Sequence, residues 1–432
     1  MRWKTDSYAG WGRALRATGD LARPDRRADL DSAIAPAIGK RRSYGDAALN
    51  DGGRAIDMTR LDSILSFDED TGLLEIEAGM QLGDIVRVFS PRGWLPPVLP
   101  GTGFATVGGA IGMDVHGKNH HNAGSFGQHV TRIRLLQGDQ RRTITPRNRA
   151  LWQATLGGLG QTGIILSATI QMKRCAGPVM TVTERRAEGW DEHIAMLDAS
   201  TASYCVGWID ATATGQALGR GIVEEAEPAR GLIPRRGAPK AVPLDAPHFA
   251  LSAPIVKAFN ALYYRRVPDH GRTVVRSMPD FFFPLDKIHD WNRLYGKRGF
   301  HQFQCVVPLG EKDRLRDMLD LIAGSGLASP LAVLKRMGAG RAGYLSFPME
   351  GYTLAVDFPA RAEAPDLIAT LEQMTVAAGG RLYLAKDALA TGERIKAMYP
   401  DWPKWRDAVN AADPDHLLET DMTRRLTLRS PA

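Results

Sequence analysis

The sequence predicts an α+β protein of two domains, and three observations carry that prediction. The chain has 432 residues, more than one hydrophobic core ordinarily serves. Short runs of strand pattern alternate with amphipathic helices in both its first and last thirds. Between the first of these runs lies a tract, residues 100–127, with eight glycines and three histidines (His116, His120, His121) and almost no bulky apolar side chain. Glycine costs conformational entropy and offers nothing to pack, so this tract predicts neither a core strand nor a helix.

Taken in order, an apolar run at 33–38 predicts a short strand leading into a basic turn, Gly39, Lys40, Arg41, Arg42, Ser43, Tyr44, Gly45 and Asp46. Strand-like runs follow between 54 and 78. Residues 80–94 have helical spacing, with Leu82, Ile85, Val86 and Phe89 on one face and Gly93 beyond the end. After the glycine tract, residues 130–139 and 141–146 read as a hairpin, 150–154 as a helical turn, 157–163 as a second glycine-rich loop and 164–172 as an apolar strand.

Residues 215–247 are rich in Gly, Pro, Arg and Ala without periodicity, and predict a mobile loop. The apolar segment 247–266, ending in two tyrosines and two arginines, reads as a core helix or as a surface element resting on a membrane interface. Residues 300–308 alternate strictly, with His301, Phe303 and Cys305 on one face and Gln302 and Gln304 on the other. Helices at 311–323 and 365–378 and strands at 331–337 and 352–358 complete a second α+β unit, a substrate domain on a mixed or antiparallel sheet with flanking helices.

Composition narrows the function. An apolar content of 44% and a charged content of 24% are those of a soluble globular chain, and the net charge of +7 favours an anionic ligand or lipid headgroups. Basic residues are not interleaved with aromatics as in a nucleic-acid module, so no nucleic-acid partner is expected. Cys175, Cys205 and Cys305 lie far apart, which argues against a zinc site or a disulfide framework. No signal peptide or spanning helix is legible, so the expected location is cytoplasmic or peripheral to a membrane.

Several familiar sites fail on their own residues. Gly101-Thr102-Gly103 starts a dinucleotide fingerprint, but Thr106 stands at the third glycine and no helix-forming run follows directly. Gly117-Lys118 is followed by Asn119, which excludes a P-loop, and His116 and His120 lack the glutamate of a zinc-protease helix, so no metal is expected. No GxSxG elbow occurs. What remains is a glycine-rich cradle with basic residues from separated segments, which suits the pyrophosphate and broad ring of FAD better than a nicotinamide cofactor.

The segments GKRRSYGDAALNDGG, VLPGTGFATVGGAIGMDVHGKNHHNAGSFG, GGLGQTGII and AGGRLYLAKD together resemble the vanillyl-alcohol-oxidase-type (PCMH-type) FAD-binding flavoproteins. Within that family they are most similar to members that oxidise a lipid-linked ribose. The resemblance implies an FAD-binding domain at 1–178, a substrate domain at 179–380 and a C-terminal segment, 381–432, completing the first. It implies FAD contacts from residues 39–47, through Ala47, and from Gly101, Thr106, Val107, Gly108, Gly109, His116, Gly117, Lys118, Asn119, Ile165 and Tyr383. The FAD is expected to be noncovalent, because relatives with a covalent flavin often carry His in the first basic turn, which here reads Lys-Arg-Arg-Ser.

The resemblance further assigns Lys386 and His116 as catalytic and Lys118, Gln302, Gln304 and Lys335 as substrate-binding. The implied reaction is oxidation of the ribose 2′-hydroxyl of a polyprenylphosphoryl-β-D-ribose, with a separate NADH-dependent short-chain keto-reductase as partner. An FAD-dependent oxidase of a soluble sugar, alditol or aldonolactone is the alternative, and a flavin-binding module without turnover a third reading. Ala355, Phe282 and Met337 depart from the family's pocket residues, at positions where it carries a cysteine, a tyrosine and an aromatic.

Overall fold

Ala37 and Ile38 form a short strand at the edge of its sheet, with Ile38 buried, and its end delivers the basic turn. The computed structural model describes residues 1–30, 34–234 and 237–430; residue 33, the expected start of this strand, lies outside them. The strand pairs in parallel with Arg54–Asp57, within a four-stranded sheet completed by Trp3–Ala9 and Arg16–Ala22.

A five-stranded antiparallel sheet follows, ordered Ile64–Phe67, Leu73–Glu77, Ile164–Gln171, Val130–Gln137 and Gln140–Ile144. The helix Leu82–Phe89 lies beside it, with Leu82, Ile85, Val86 and Phe89 buried as their spacing predicts. The glycine tract is less irregular than its composition suggests. Val107–Gly112 is a buried helix capped by the Thr106 hydroxyl, which accepts from Gly109 N–H. Here glycine is selected for close approach rather than propensity: a Cβ on Gly108 would lie 3.1 Å from that of Ala78.

The second unit is an eight-stranded sheet, antiparallel at every pairing, ordered Arg272–Ser277, Val179–Ala187, Gly221–Ala229, Tyr204–Ile209, Ala332–Met337, Gly351–Pro359, Phe300–Val307 and Arg381–Leu382. Helices Lys312–Ser325 and Ala364–Ala377 cover one face, burying Phe303, Cys305, Leu334 and Leu354 in a large apolar core. The other face turns to the cavity.

The loop expected at 215–247 is corrected by this sheet, since Gly221–Ala229 is one of its inner strands, paired on both sides. Glu224, which lines the cavity, and Glu225 and Glu227 on the opposite face break the apolar alternation by which a strand is read. The segment 247–266 contains the helix Ala253–Arg265, which buries only Val256 and Asn260 and is therefore not a core helix.

After Arg381–Leu382 the chain returns to the first unit. Helix Trp402–Ala412 packs on Arg149–Thr155. Arg425 pairs with Asp46 at 2.7 Å and with Asp387 at 2.8 Å, fastening the last segment to the basic turn.

Candidate active site

Between the glycine loops and the free face of the large sheet lies a cavity of about 1060 Å³, larger than most single-ligand pockets. One wall comes from the first unit. Gly39 is there because a Cβ would lie 2.3 Å from Thr106 Oγ1, so the bare backbone of the turn rests against the Thr106 side chain. Arg41 has φ +51°, which curls the turn. Among the described residues, the N–H groups of Arg41, Arg42 and Ser43 have no hydrogen-bond acceptor. Successive free N–H groups in such a curl form an anion-binding nest. Arg42 is stacked between the rings of Trp11 (4.0 Å) and Phe104 (4.5 Å), and its buried Nε lacks a partner.

Gly101 and Gly160 also line the cavity, and a Cβ on either would meet nothing within 4 Å, so both leave space for a ligand. Ile38, Met58, Leu99 and Ile165 give this wall an apolar patch. Nest, stacked guanidinium and apolar slot fit a dinucleotide with a flat ring system.

The opposite wall is the polar face of the sheet. Strand alternation sends Gln302 and Gln304, Lys335, and Thr353, Ala355 and Asp357 into the cavity from three adjacent strands. Lys386 enters from the segment after the edge strand, its Nζ 3.4 Å from the Tyr44 ring centroid. Burial lowers the Lys386 pKa to about 7, partly opposed by Asp357. Asp357 in turn is pushed up to about 7 by burial, while accepting hydrogen bonds from Gln302 and the Tyr295 hydroxyl. An amine at this pKa is poised to exchange a proton near neutral pH.

His116 sits at the centre. Its Nδ1 is 3.1 Å from Lys335 Nζ and its Nε2 3.1 Å from the Gln304 amide. Burial, then the charges of Lys335, His120 and Lys386, hold the ring neutral. One ring nitrogen therefore donates and the other accepts. Lys335 is lowered to about 7 by burial and by Lys118 and Lys386, and Lys118 to about 8, mainly by burial. Lys118 donates to the Phe281 carbonyl at 2.5 Å. Of the three lysines only Lys335 is depressed by the other two, a crowding of positive charge that an anion relieves.

The cavity thus gathers Gly39, Lys40, Arg41, Arg42, Ser43, Tyr44, Ala47, Gly101, Thr106, Gly108, Gly109, His116, Gly117, Lys118 and Ile165 with Gln302, Gln304, Lys335, Tyr383 and Lys386. Four expected contacts stand behind it. Gly45 packs on the Asp387 backbone, Asp46 pairs with Arg425, Val107 is core, and Asn119 donates to the Pro97 carbonyl at 2.8 Å. Of the three departures only Ala355 lines the cavity; Phe282 packs on Tyr204 and Met337 beside Phe347, both fully buried. Sequence reading missed Asp357, Trp208 and Thr353. The signal for Asp357 was an acidic residue in the otherwise apolar run GYTLAVDFP.

Residues 35–145 match the FAD binding domain family. With the cradle and the buried amine facing it, that match defines the protein as an FAD-binding α+β oxidoreductase. The chain belongs to the family of the decaprenylphosphoryl-β-D-ribose oxidase of Mycolicibacterium smegmatis, with which it shares 37% identity across 98% of each chain. An uncharacterised protein of Streptomyces coelicolor is 35% identical, covering 80% of this chain and 99% of its own. An uncharacterised oxidoreductase of Rhodococcoides fascians is 34% identical over 30% of each.

Proposed function

We propose that this protein oxidises the ribose 2′-hydroxyl of a polyprenylphosphoryl-β-D-ribose to the 2′-keto sugar, the first half of an epimerisation to lipid-linked arabinose. The observation that carries the reading is the placement of Lys386, a buried amine with a pKa near 7, across one cavity from a dinucleotide cradle in a full-length relative of a ribose oxidase.

In this reading the basic turn, Gly101, Thr106, Gly108, Gly109, Ile165 and Tyr383 hold FAD, which when bound supplies the hydride acceptor. Lys386, unprotonated, takes the proton of the sugar hydroxyl. Gln302, Gln304 and Lys335 hold neighbouring hydroxyls, with His116 fixing the last two through its ring nitrogens. The turn at 39–46 carries no His or Cys, which supports noncovalent attachment; acid precipitation would then release yellow flavin into the supernatant. The division at 1–178, 179–380 and 381–432 belongs to the same reading; the separate sheets and the Arg425 clasp support it, except that Arg381–Leu382 is the edge strand of the large sheet and falls on the substrate side.

Oxidation removes a hydride that epimerisation must return, so a second enzyme with its own hydride donor, an NADH-dependent keto-reductase, completes the sequence. Peripheral membrane contact is part of the proposal. No helix among the described residues is long and apolar enough to span a membrane. However, Leu232, Leu244, Phe249, Phe259 and Leu262 are exposed, as are Lys257 and Arg265 on the helix of the last two, and Tyr263 of that helix lines the cavity. That pattern suits an interfacial helix on anionic lipid.

The test is anaerobic bleaching of the flavin absorbance by a polyprenylphosphoryl ribose, beside free ribitol and an aldonolactone. Bleaching by the lipid-linked ribose alone is the expected result. Bleaching by a free sugar would move the protein to the soluble-substrate alternative.

A further inference from the structure

At the mouth of the cavity lies an ion cluster that the reaction chemistry does not use. Glu184, fully buried, accepts from Arg266 Nη1 at 2.6 Å, Arg276 Nη2 at 2.5 Å and Arg272 Nε at 2.5 Å. Against burial, which pushes it up, the hydrogen bonds from Arg272 and Arg266 hold its pKa down at about 2. Its charge is therefore fixed, and it anchors three guanidinium groups.

Two of these, Arg266 and Arg276, line the cavity and reach forward to Glu224 at 3.4 and 3.0 Å. Glu224 also lies 4.0 Å from Lys118. Asp280 also lines the cavity. Among the described residues, Arg266, Arg272, Arg276 and Lys118 thus gather about two carboxylates, Glu184 and Glu224, leaving the cations in excess. The Nε of Arg266 is buried without a partner. Beside the cluster, Val275 lines the cavity while 54% exposed, and Arg266 is the residue that caps the end of the exposed apolar helix.

We propose that this end of the cavity is a phosphate subsite, in which Arg266 and Arg276 receive the phosphoryl group of the substrate and Glu224 holds their place until it arrives. The inference rests on the reading above that the substrate is a phosphoryl-linked sugar. Arginine presents paired donors matched to phosphate oxygens. Glu184 keeps those donors oriented from behind, so an incoming anion has only Glu224 to displace. The position places the phosphate between the sugar, beside Lys386, and a prenyl tail leaving along the apolar helix.

The experiment is calorimetric titration of the FAD-loaded enzyme with farnesyl monophosphate, farnesol and inorganic phosphate. Farnesyl monophosphate should bind at least about tenfold tighter than farnesol, the order expected from one charge-assisted hydrogen bond. Inorganic phosphate should bind more weakly than the prenyl phosphate; equal binding would overturn the assignment to a lipid-borne phosphate. Arg276→Gln should abolish the preference over farnesol, and Glu224→Gln, which removes the competing carboxylate, should enlarge it. If Arg276→Gln does not fold, the Glu224→Gln result decides: an unchanged or smaller preference overturns the proposal. Binding is read without turnover. Failure of the ribose-oxidation reading would appear separately, as absent bleaching by farnesylphosphoryl ribose with the phosphate preference intact.

Discussion

The Nζ of Lys386 lies 3.4 Å from the centre of the Tyr44 ring, and Tyr44 N–H donates to the carbonyl of Ala385 at 2.9 Å. The basic turn and the reactive amine are therefore one backbone-linked unit. Whatever the turn holds is positioned against the lysine without an intervening flexible segment.

Lys386→Met is expected to retain flavin and to lose flavin reduction by about 10²–10⁴-fold, the range for removal of a general base. Single-turnover bleaching measures it. Reduction at the parent rate would remove Lys386 from the chemistry.

The same lysine sets a pH dependence. Its pKa of about 7 means that the amine is protonated below and free above that value. The acidic limb of kcat/KM should therefore fall about tenfold per pH unit below 7 and level off above 8. A profile flat from pH 5 to 8 contradicts this.

Gly39→Val would drive a side chain into Thr106, where even a Cβ approaches to 2.3 Å. The turn and the helix at 107–112 must then separate. At least tenfold weaker FAD binding is expected, or about 1.4 kcal/mol, readable as loss of flavin on gel filtration. Full flavin content would show that the close approach is not needed.

Arg425→Met leaves Asp46 and Asp387, both buried, without their shared partner. Breaking such a buried pair costs about 3–5 kcal/mol. Chemical denaturation should show it, and Asp46→Asn in the same chain should recover part of the loss, because the unpaired charge is removed. Independent effects of the two substitutions would mean that the clasp carries little.

Replacing Phe259 and Leu262 by Ser should leave the fold intact, since both side chains are exposed. Flotation with vesicles of anionic lipid should fall for the variant relative to the parent. Equal flotation, or none for either, would remove this helix from any membrane contact.

The cradle was legible in the sequence because glycine and histidine at such density leave few structural uses, and the strand carrying Gln302 and Gln304 was legible because it alternates without a break. The strand Gly221–Ala229 was not, since Glu224, Glu225 and Glu227 disguise it as solvated loop. The phosphate cluster was hidden for another reason. Glu184 and Arg276 meet across 92 residues, and each alone reads as a surface charge. Asn119 and Val107 lie inside the glycine tract, where position alone suggests ligand contact; Asn119 bonds the Pro97 carbonyl and Val107 packs in the core, and both hold that tract in place.

The interleaving of cavity and core along Phe300–Val307 constrains how this protein can change over generations. Gln302 and Gln304 face the ligand, and Phe303 and Cys305 face the apolar interior. Gain or loss of a single residue would exchange the two sets, placing amides in the core and hydrocarbon in the site. New substrate preferences in this lineage must therefore arise by replacement at every second position, with the spacing between those positions inherited unaltered.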